Sequence, residues 1–340
     1  MTMTSTLVTV PDLANEQTVL PEADARLALT TLRDDFFAAW SRGQWQALAP
    51  NLSEDAILVS NQHGEARGVD EWHRVLAAEP AALAGMRTSN HVILSGRSGL
   101  AAASAYVIGL FGHQQRQLLF GASVVLRFRF DRSTHRWLLV GARINVNWCK
   151  GDLALAAHWS SPPSDAGWEL GDAPPVLVSE LDSPWALIGD ALPPVSVEDA
   201  MQELYSKYSW AIDQDDIALL SDSYTQDAAG GFAPMGALQG RHAIIGQQKS
   251  FRRHWAWMQH FADVLRVEPE ADGQHVSMIV GRIIPERTAD EAGNPLYGAH
   301  YQLRARLESD GQWRICWFDY RPGWFTATNV PEFEIGVTHA

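Results

Sequence analysis

One pattern occurs twice along this chain, and a duplicated pattern obliges two segments to solve the same folding problem. The first copy reads Gly121-Ala122-x-x-x-Leu126-Arg127-x-Arg129, then Trp137, then Trp148. The second reads Gly298-Ala299-x-x-x-Leu303-Arg304-x-Arg306, then Trp313, then Trp324. The spacing between the tryptophans is 11 in both copies (148 − 137 and 324 − 313). Upstream, Thr88-Ser89-Asn90-His91 lies opposite Trp257-Met258-Gln259-His260. His91 precedes Gly121 by 30 residues and His260 precedes Gly298 by 38, the surplus falling in a turn-rich insertion from Glu286 to Pro295. Several matches in one order with compatible spacings make duplication the better explanation than chance.

A length of 340 residues fits two domains, at about 150 residues each. With 46% hydrophobic residues, each half can bury an ordinary core. The expected division is an N-terminal tail over 1–22, a first domain over 23–150, a connector over 151–195, a second domain over 196–330 and a C-terminal tail over 331–340. The connector holds seven of the 17 prolines, which deny backbone donors and break regular elements. It also carries Trp159, Trp168 and Trp185, so it is expected to lie on the surface of the domains. Within each half, helices precede strands. Leu29, Leu32, Phe36, Phe37 and Trp40 give helical spacing over 24–41, and Met201, Leu204, Tyr205, Tyr208 and Ile212 do so over 196–213, with Ser196 as a cap. Long alternating runs follow, such as Val124 to Phe130 and Tyr301 to Leu307. Helices followed by a curved antiparallel sheet make an α+β fold with a concave interior suited to a small molecule.

Composition narrows the partners. The formal charge is −14, and all but three of the 26 cations are arginines scattered through both halves. A phosphate backbone needs clustered cations, so no nucleic-acid partner is expected. Cys149 and Cys316 read as strand thiols in a reducing compartment rather than a disulfide framework. The N-terminus has no basic start or long apolar core, and the apolar run Leu100 to Phe111 is too short for a bilayer. These features suggest a soluble, cytoplasmic chain with no membrane partner. No nucleotide-binding glycine motif and no zinc-ligand spacing is present, so neither cofactor nor metal is called for. His63-Gly64-Glu65 has the shape of part of an iron site, but Asn61 to Glu65 reads better as a turn.

Both halves resemble the SnoaL-like branch of the NTF2-like superfamily, over nearly all the chain apart from tail and connector. The second half is similar to scytalone dehydratase and its relatives. Tyr205 to Asp216 matches that family's first helix, and Met258-Gln259-His260-Phe261 its catalytic His segment. Ile284-Pro285-Glu286 falls where the family has another site His, and His300 and Gln302 where a strand Ser and Asn face the pocket. The resemblance implies two tandem cone-shaped α+β barrels, each a curved antiparallel sheet closed by helices. Their sheets would pair face to face as a one-chain version of the usual dimer, with homodimerisation of the whole chain left open. Two family tyrosines are replaced by Ile212 and Phe232. The first half departs further, with Ser41 or a neighbour near the Asp213 position, Ser123 opposite His300 and Val125 opposite Gln302. Only His91 survives there, as a weak second-pocket candidate.

An Asp on a helix beside a His on a strand can fix the imidazole tautomer and raise its basicity, which suits proton transfer. The expected catalytic set is Asp213, His260 and His300. Gln302, Glu286, Phe232, Trp257, Tyr208 and Trp317 are the expected substrate contacts. The bland alternatives are a solvated helix end for Asp213, a packed outer sheet face for His300 and Gln302, and an exposed charge for Glu286. The expected function is a cofactor-independent lyase, isomerase or cyclase using dehydratase-like proton transfer on a small apolar or aromatic carbonyl compound. A non-catalytic pseudo-dimer that binds a hydrophobic ligand, and an epoxide hydrolase or epoxide-opening cyclase, remain the alternatives.

Overall fold

The computed structural model describes residues 22–77, 83–159, 180–254 and 258–334. The first unit runs α1 (Glu22–Arg42), a 3-10 turn (Trp45–Asn51), β1 (Leu52–Ser60), β2 (Gly64–Arg67), α2 (Gly68–Leu76), β3 (Gly85–Ser95), β4 (Leu100–His113), β5 (Arg116–Asp131) and β6 (Arg136–Gly151). A short helix, α3 (Pro184–Leu187), lies in the connector. The second unit runs α4 (Val197–Asp213), α5 (Ile217–Asp222), β7 (Tyr224–Gly231), β8 (Ala237–Gln239), α6 (Arg241–Arg252), β9 (Ala262–Pro269), β10 (His275–Arg282), β11 (Leu296–Leu307) and β12 (Trp313–Thr326).

The strand orders are β2-β1-β6-β5-β4-β3 and β8-β7-β12-β11-β10-β9, one topology written twice. The fold is α+β in two tandem units, with one difference from expectation. Each sheet is mixed, because β1 runs parallel to β6 and β7 parallel to β12. A helix-containing crossover separates those strands in sequence, and such a connection permits parallel pairing. The repeated glycine and second tryptophan prove to be cross-strand neighbours. A Cβ on Gly121 would lie 2.3 Å from the Trp148 indole nitrogen, and one on Gly298 would lie 3.3 Å from Trp324. At Gly121 the tryptophan of the last strand leaves no room for a side chain, whereas at Gly298 the nearer obstacle is Ile284, 2.5 Å from where a Cβ would sit.

The units meet through one apolar cluster to which both sheets and α4 contribute, Tyr297 and Phe325 coming from the second sheet. The outer face of the first sheet, with Tyr106, Ile108, Val125 and Trp148, packs against Trp210 of α4 and against Phe261, Ile283 and Tyr297. Every residue of α4 from Leu204 to Asp213 is therefore buried, on both sides of the helix. Its apolar stripe enters the second core through Met201, Leu204, Tyr205, Tyr208 and Ile212. Its small polar face turns to the first unit, where Ser206 donates to the His91 carbonyl at 3.2 Å and Tyr106 donates to the Ser209 carbonyl at 3.2 Å. The outer face of the second sheet is also crossed by the C-terminal segment. Glu334 donates its backbone N–H to Gln302 Oε1 at 2.9 Å and its carboxylate meets Arg321, while Glu332 meets Arg266 at 2.7 Å.

Where it is described, the connector enters the first unit at one point and lies on its sheet at another. Trp159 is buried inside the first unit, edge-on to Phe111 and Phe120. Trp185 and Leu187 pack on Val92, Leu94 and Ala102. Trp168 lies outside the described residues. No helix among them is long and apolar enough to cross a membrane.

Candidate active site

Asp213 ends α4 with its side chain buried. A carboxylate there meets the negative end of the helix dipole and loses its water, so it needs strong compensation. Three groups supply it. Oδ2 accepts the backbone N–H of His260 at 2.7 Å, and Oδ1 lies 2.6 Å from His260 Nδ1. The Arg252 guanidinium stands 3.6 Å from Oδ1 and also donates to the carbonyls of Asp213 and Met258. Burial pushes the Asp213 carboxyl up, but His260 and Arg252 outweigh it and hold the group below its ordinary range. Burial pushes the His260 imidazole down against the pull of Asp213. At neutral pH the pair is a carboxylate beside a neutral imidazole. Asp213 can only accept, so Nδ1 carries the hydrogen and Nε2 keeps its lone pair.

His260 forms part of the wall of a cavity of about 280 Å³ inside the second unit. That lies near the lower end of small-molecule sites, which run from about 300 to 1,000 Å³. Helix α4 contributes Tyr208 and Ile212, the turn after β7 contributes Phe232 to Met235, and α6 contributes Gln248, Phe251 and Arg252. The sheet contributes Arg282, Tyr301, Phe318 and Tyr320, with Met258 and Ile284 beside them. Phe232 and Phe318 are stacked at 4.7 Å, and Tyr208 is edge-on to His260 at 6.3 Å. Gln248 donates to the hydroxyls of Tyr208 at 3.3 Å and Tyr224 at 3.0 Å. Burial pushes the phenols of Tyr208 and Tyr301 up, so both stay protonated donors at neutral pH. A second hollow of about 320 Å³ shares Phe232, Ala233, Pro234 and Tyr320 with the first.

Of the residues singled out from sequence, Asp213, His260, Tyr208 and Phe232 are brought together here. His300 and Gln302 are not. Strand alternation gives the core face of β11 to Tyr301, Leu303 and Ala305, leaving His300 against Phe325 and Gln302 against the C-terminal segment. Trp317 also faces away from the cavity. A bulge at Arg304/Ala305 puts Cys316 as an extra residue in β12. The bulge shifts strand parity, so Phe318 rather than Trp317 turns inward. Glu286 is exposed on the hairpin after β10 and faces Lys150 of the first unit at 3.4 Å, away from the cavity. Trp257 lies outside the described residues. His91 sits in the first unit, where Nε2 pairs with Thr88 at 3.1 Å and no carboxylate takes the place of Asp213.

Arg252, Gln248, Arg282, Tyr301 and Tyr320 were not anticipated. The apolar alternation Tyr301-Leu303-Ala305 was the available signal, since the concave side of such a sheet is its apolar side. The first unit contributes from behind the dyad rather than to the cavity. Asn90 donates to the His260 carbonyl at 2.9 Å and accepts from the Ala262 N–H at 3.0 Å. Among the described residues, Glu270, Asp272 and His275 have ligand atoms close enough to share a metal ion. They form the β9–β10 hairpin away from the cavity, and Glu270 is already bound by Arg304 at 2.5 Å.

The model of the SnoaL-like domain family matches residues 194–319. No curated protein matches the chain. Solved structures similar to it include two from Novosphingobium aromaticivorans. One is a provisionally named aromatic ring hydroxylase, 18% identical, covering 40% of this chain and 99% of its own, with a TM-score of 0.34. The other is a provisionally named scytalone dehydratase, 12% identical, covering 38% and 89%, with a TM-score of 0.33. A ketosteroid isomerase-like protein from Erwinia carotovora atroseptica is 14% identical, covering 35% and 94%, with a TM-score of 0.32.

Proposed function

We propose, from the premise that residues 194–319 are a SnoaL-like domain, that the cavity of the second unit is the active site of a cofactor-independent lyase or isomerase. Its substrate is a small apolar or aromatic carbonyl compound. The observation that carries this reading is the buried Asp213–His260 pair at 2.6 Å, with His260 forming part of the cavity wall. His260 Nε2 removes a proton from the carbon beside the carbonyl, and the electron pair of that C–H bond moves into an enolate. The imidazolium is paired at once with Asp213, which stabilises it without taking its proton. Returning the proton to a different carbon isomerises the substrate. Expelling a leaving group from the neighbouring carbon eliminates it, and His260 hands over its proton. The neutral phenol of Tyr208 is a donor available to the forming oxyanion.

Hydrogen–deuterium exchange beside the carbonyl reads this step without knowledge of the natural substrate. Followed by NMR over a panel of small aryl ketones in D2O, exchange by the wild type should fall by about 10²- to 10⁴-fold in His260→Ala. Asp213→Asn should also be strongly impaired, because an amide no longer enforces the tautomer. Undiminished exchange in His260→Ala would sink the reading. A wild type that binds aryl ketones and exchanges none would favour the second reading, a hydrophobic-ligand carrier, which the aromatic walls also suit. Epoxide opening has less support, since it calls for a carboxylate pair and no acidic residue is among those lining the cavity.

A further inference from the structure

We propose that the ligand of this cavity carries a carboxylate, and that Arg282, oriented by Tyr301, is the residue that binds it. Arg282 closes β10, across from Ala262 on one side and Ala299 on the other, and its side chain forms part of the cavity wall. A guanidinium has five N–H groups. One bond uses them, from Nη1 to the Tyr301 hydroxyl at 2.9 Å. No carboxylate among the described residues comes within ion-pair distance of it. Elsewhere in the second unit, Arg304 has Glu270, Arg306 has Asp227, Arg314 has Asp222 and Arg321 has Asp319. Arg252, the other guanidinium of the cavity wall, has Asp213.

The charges of the site therefore do not cancel. Asp213 and Arg252 offset each other, His260 is neutral, and Arg282 remains as one uncompensated positive charge, partly buried in an aromatic-walled hollow. Such a charge is costly unless something neutralises it. The Tyr301 phenol orients the guanidinium but carries no charge. A ligand carboxylate would neutralise it in the bidentate geometry that arginine favours. The fold itself does not need the pair. By strand register the first-unit counterparts are Val107 for Arg282 and Val124 for Tyr301, since Arg282 faces Ala299 as Val107 faces Ala122. The stacked Phe232 and Phe318 supply flat walls, so the ligand class is a small aromatic acid.

This inference rests on reading the cavity as a substrate site, and the two can fail separately. Titration calorimetry with benzoate, and with benzamide as its neutral counterpart, tests it directly. Benzoate should bind the wild type, benzamide at least about tenfold more weakly, and Arg282→Gln should erase the difference. Arg282→Lys should recover part of the affinity, and circular dichroism confirms that each variant is folded. His260→Ala should still bind benzoate, so loss of exchange with retained binding tests the dyad alone. Equal binding of the two probes, no benzoate binding, or unchanged affinity in folded Arg282→Gln overturns the proposal. Should Arg282→Gln unfold, Tyr301→Phe takes its place, with weakened benzoate and unchanged benzamide expected and no change counting against the proposal.

Discussion

The two units share a strand order, yet the described inward side chains of the first are large packed aromatics and those of the second border a cavity. In the first, α1 drives Phe36 and Trp40 into the cone, where they meet Trp45 and Phe120, and Trp159 returns from the connector onto Phe120. Gly109 makes room for this, since a Cβ there would lie 2.1 Å from the Phe120 ring. In the second, aligning the starts of β1 and β7 (Leu52 with Tyr224) puts Tyr208 in place of Phe36, Ile212 in place of Trp40 and Asp213 in place of Ser41. Of these, only Ile212 is smaller than its counterpart, while Tyr208 and Asp213 add polar groups, and together they border a cavity with a dyad at its edge. Topology alone therefore says nothing about chemistry. What decides it is how much volume the inward positions fill and whether the helix ends in a carboxylate.

Exchanging one residue between the units puts the largest strain on that contrast. Ile212→Trp should fill the cavity and abolish both benzoate binding and deuterium exchange, while thermal unfolding moves little. The reverse change, Trp40→Ile, should leave the second site working but destabilise the chain by roughly 2–4 kcal/mol, because the packed core cannot collapse onto the void. Chemical denaturation checks the second claim. An Ile212→Trp protein that still binds, or a Trp40→Ile protein of wild-type stability, would mean that the volumes at these positions do not separate the units.

The sequence made the duplication legible because Gly, Trp and the His segments sit at fixed spacings, and a pattern that strict survives without coordinates. Asp213 and His260 were legible through the family resemblance of Tyr205 to Asp216 and of Met258 to Phe261, the helical period of 196–213 placing Asp213 at a helix end. The family resemblance sets His300 and Gln302 on the pocket side, and Trp317 reads as an aromatic wall, yet none of the three is among the residues lining the cavity. In a cone the inward side is apolar, and the bulge in β12 reverses the parity of Trp317 and Phe318 beyond what alternation can predict. Arg282 and Arg252 escaped notice because an arginine reads as a surface charge until its partners are known. The use of α4 as the floor for the first sheet was equally hidden. Ser206 and Ser209 look like a solvated face in a single helix.

The histidines of the two units offer a pH test of intermediate size. His91 is pushed down to about 4, by burial first and by Arg33 second. Its folded value thus lies below the unfolded one, near 6.5. The unfolded chain binds the proton more readily between these values, so the His91 contribution is complete above pH 6.5 and is lost as pH falls to about 4. His91→Gln should remove roughly 2–3 kcal/mol of acid sensitivity over that window, part of the ring being open to solvent. Urea unfolding of both proteins at the two ends of the window measures the difference. His260 shifts in the same direction, but its loss should also stop proton transfer, whereas His91→Gln should leave exchange unchanged. An equal loss of exchange in both variants would contradict the assignment of chemistry to the second unit alone.

The smallest expected effect asks whether the first unit does anything for the second. Asn90 sits at φ 53, a left-handed conformation that asparagine tolerates and glycine adopts freely. Its amide holds the backbone on both sides of Phe261, at His260 and Ala262. Asn90→Gly keeps the backbone conformation and deletes the clamp together with the bond that Ser89 donates to Asn90 at 2.7 Å, so its effect is that of three hydrogen bonds, each about 1 kcal/mol. If the clamp positions His260, deuterium exchange should slow by about tenfold at saturating ketone, while ketone affinity stays the same because Asn90 does not line the cavity. Loss of stability with an unchanged exchange rate would make Asn90 a joint between units and nothing more. Asn90→Ala, which must strain the backbone as well, should lose more stability than Asn90→Gly and no more exchange. That pattern separates a backbone requirement from a side-chain grip on the segment that holds His260, and with it the two ways in which the first unit can serve the second.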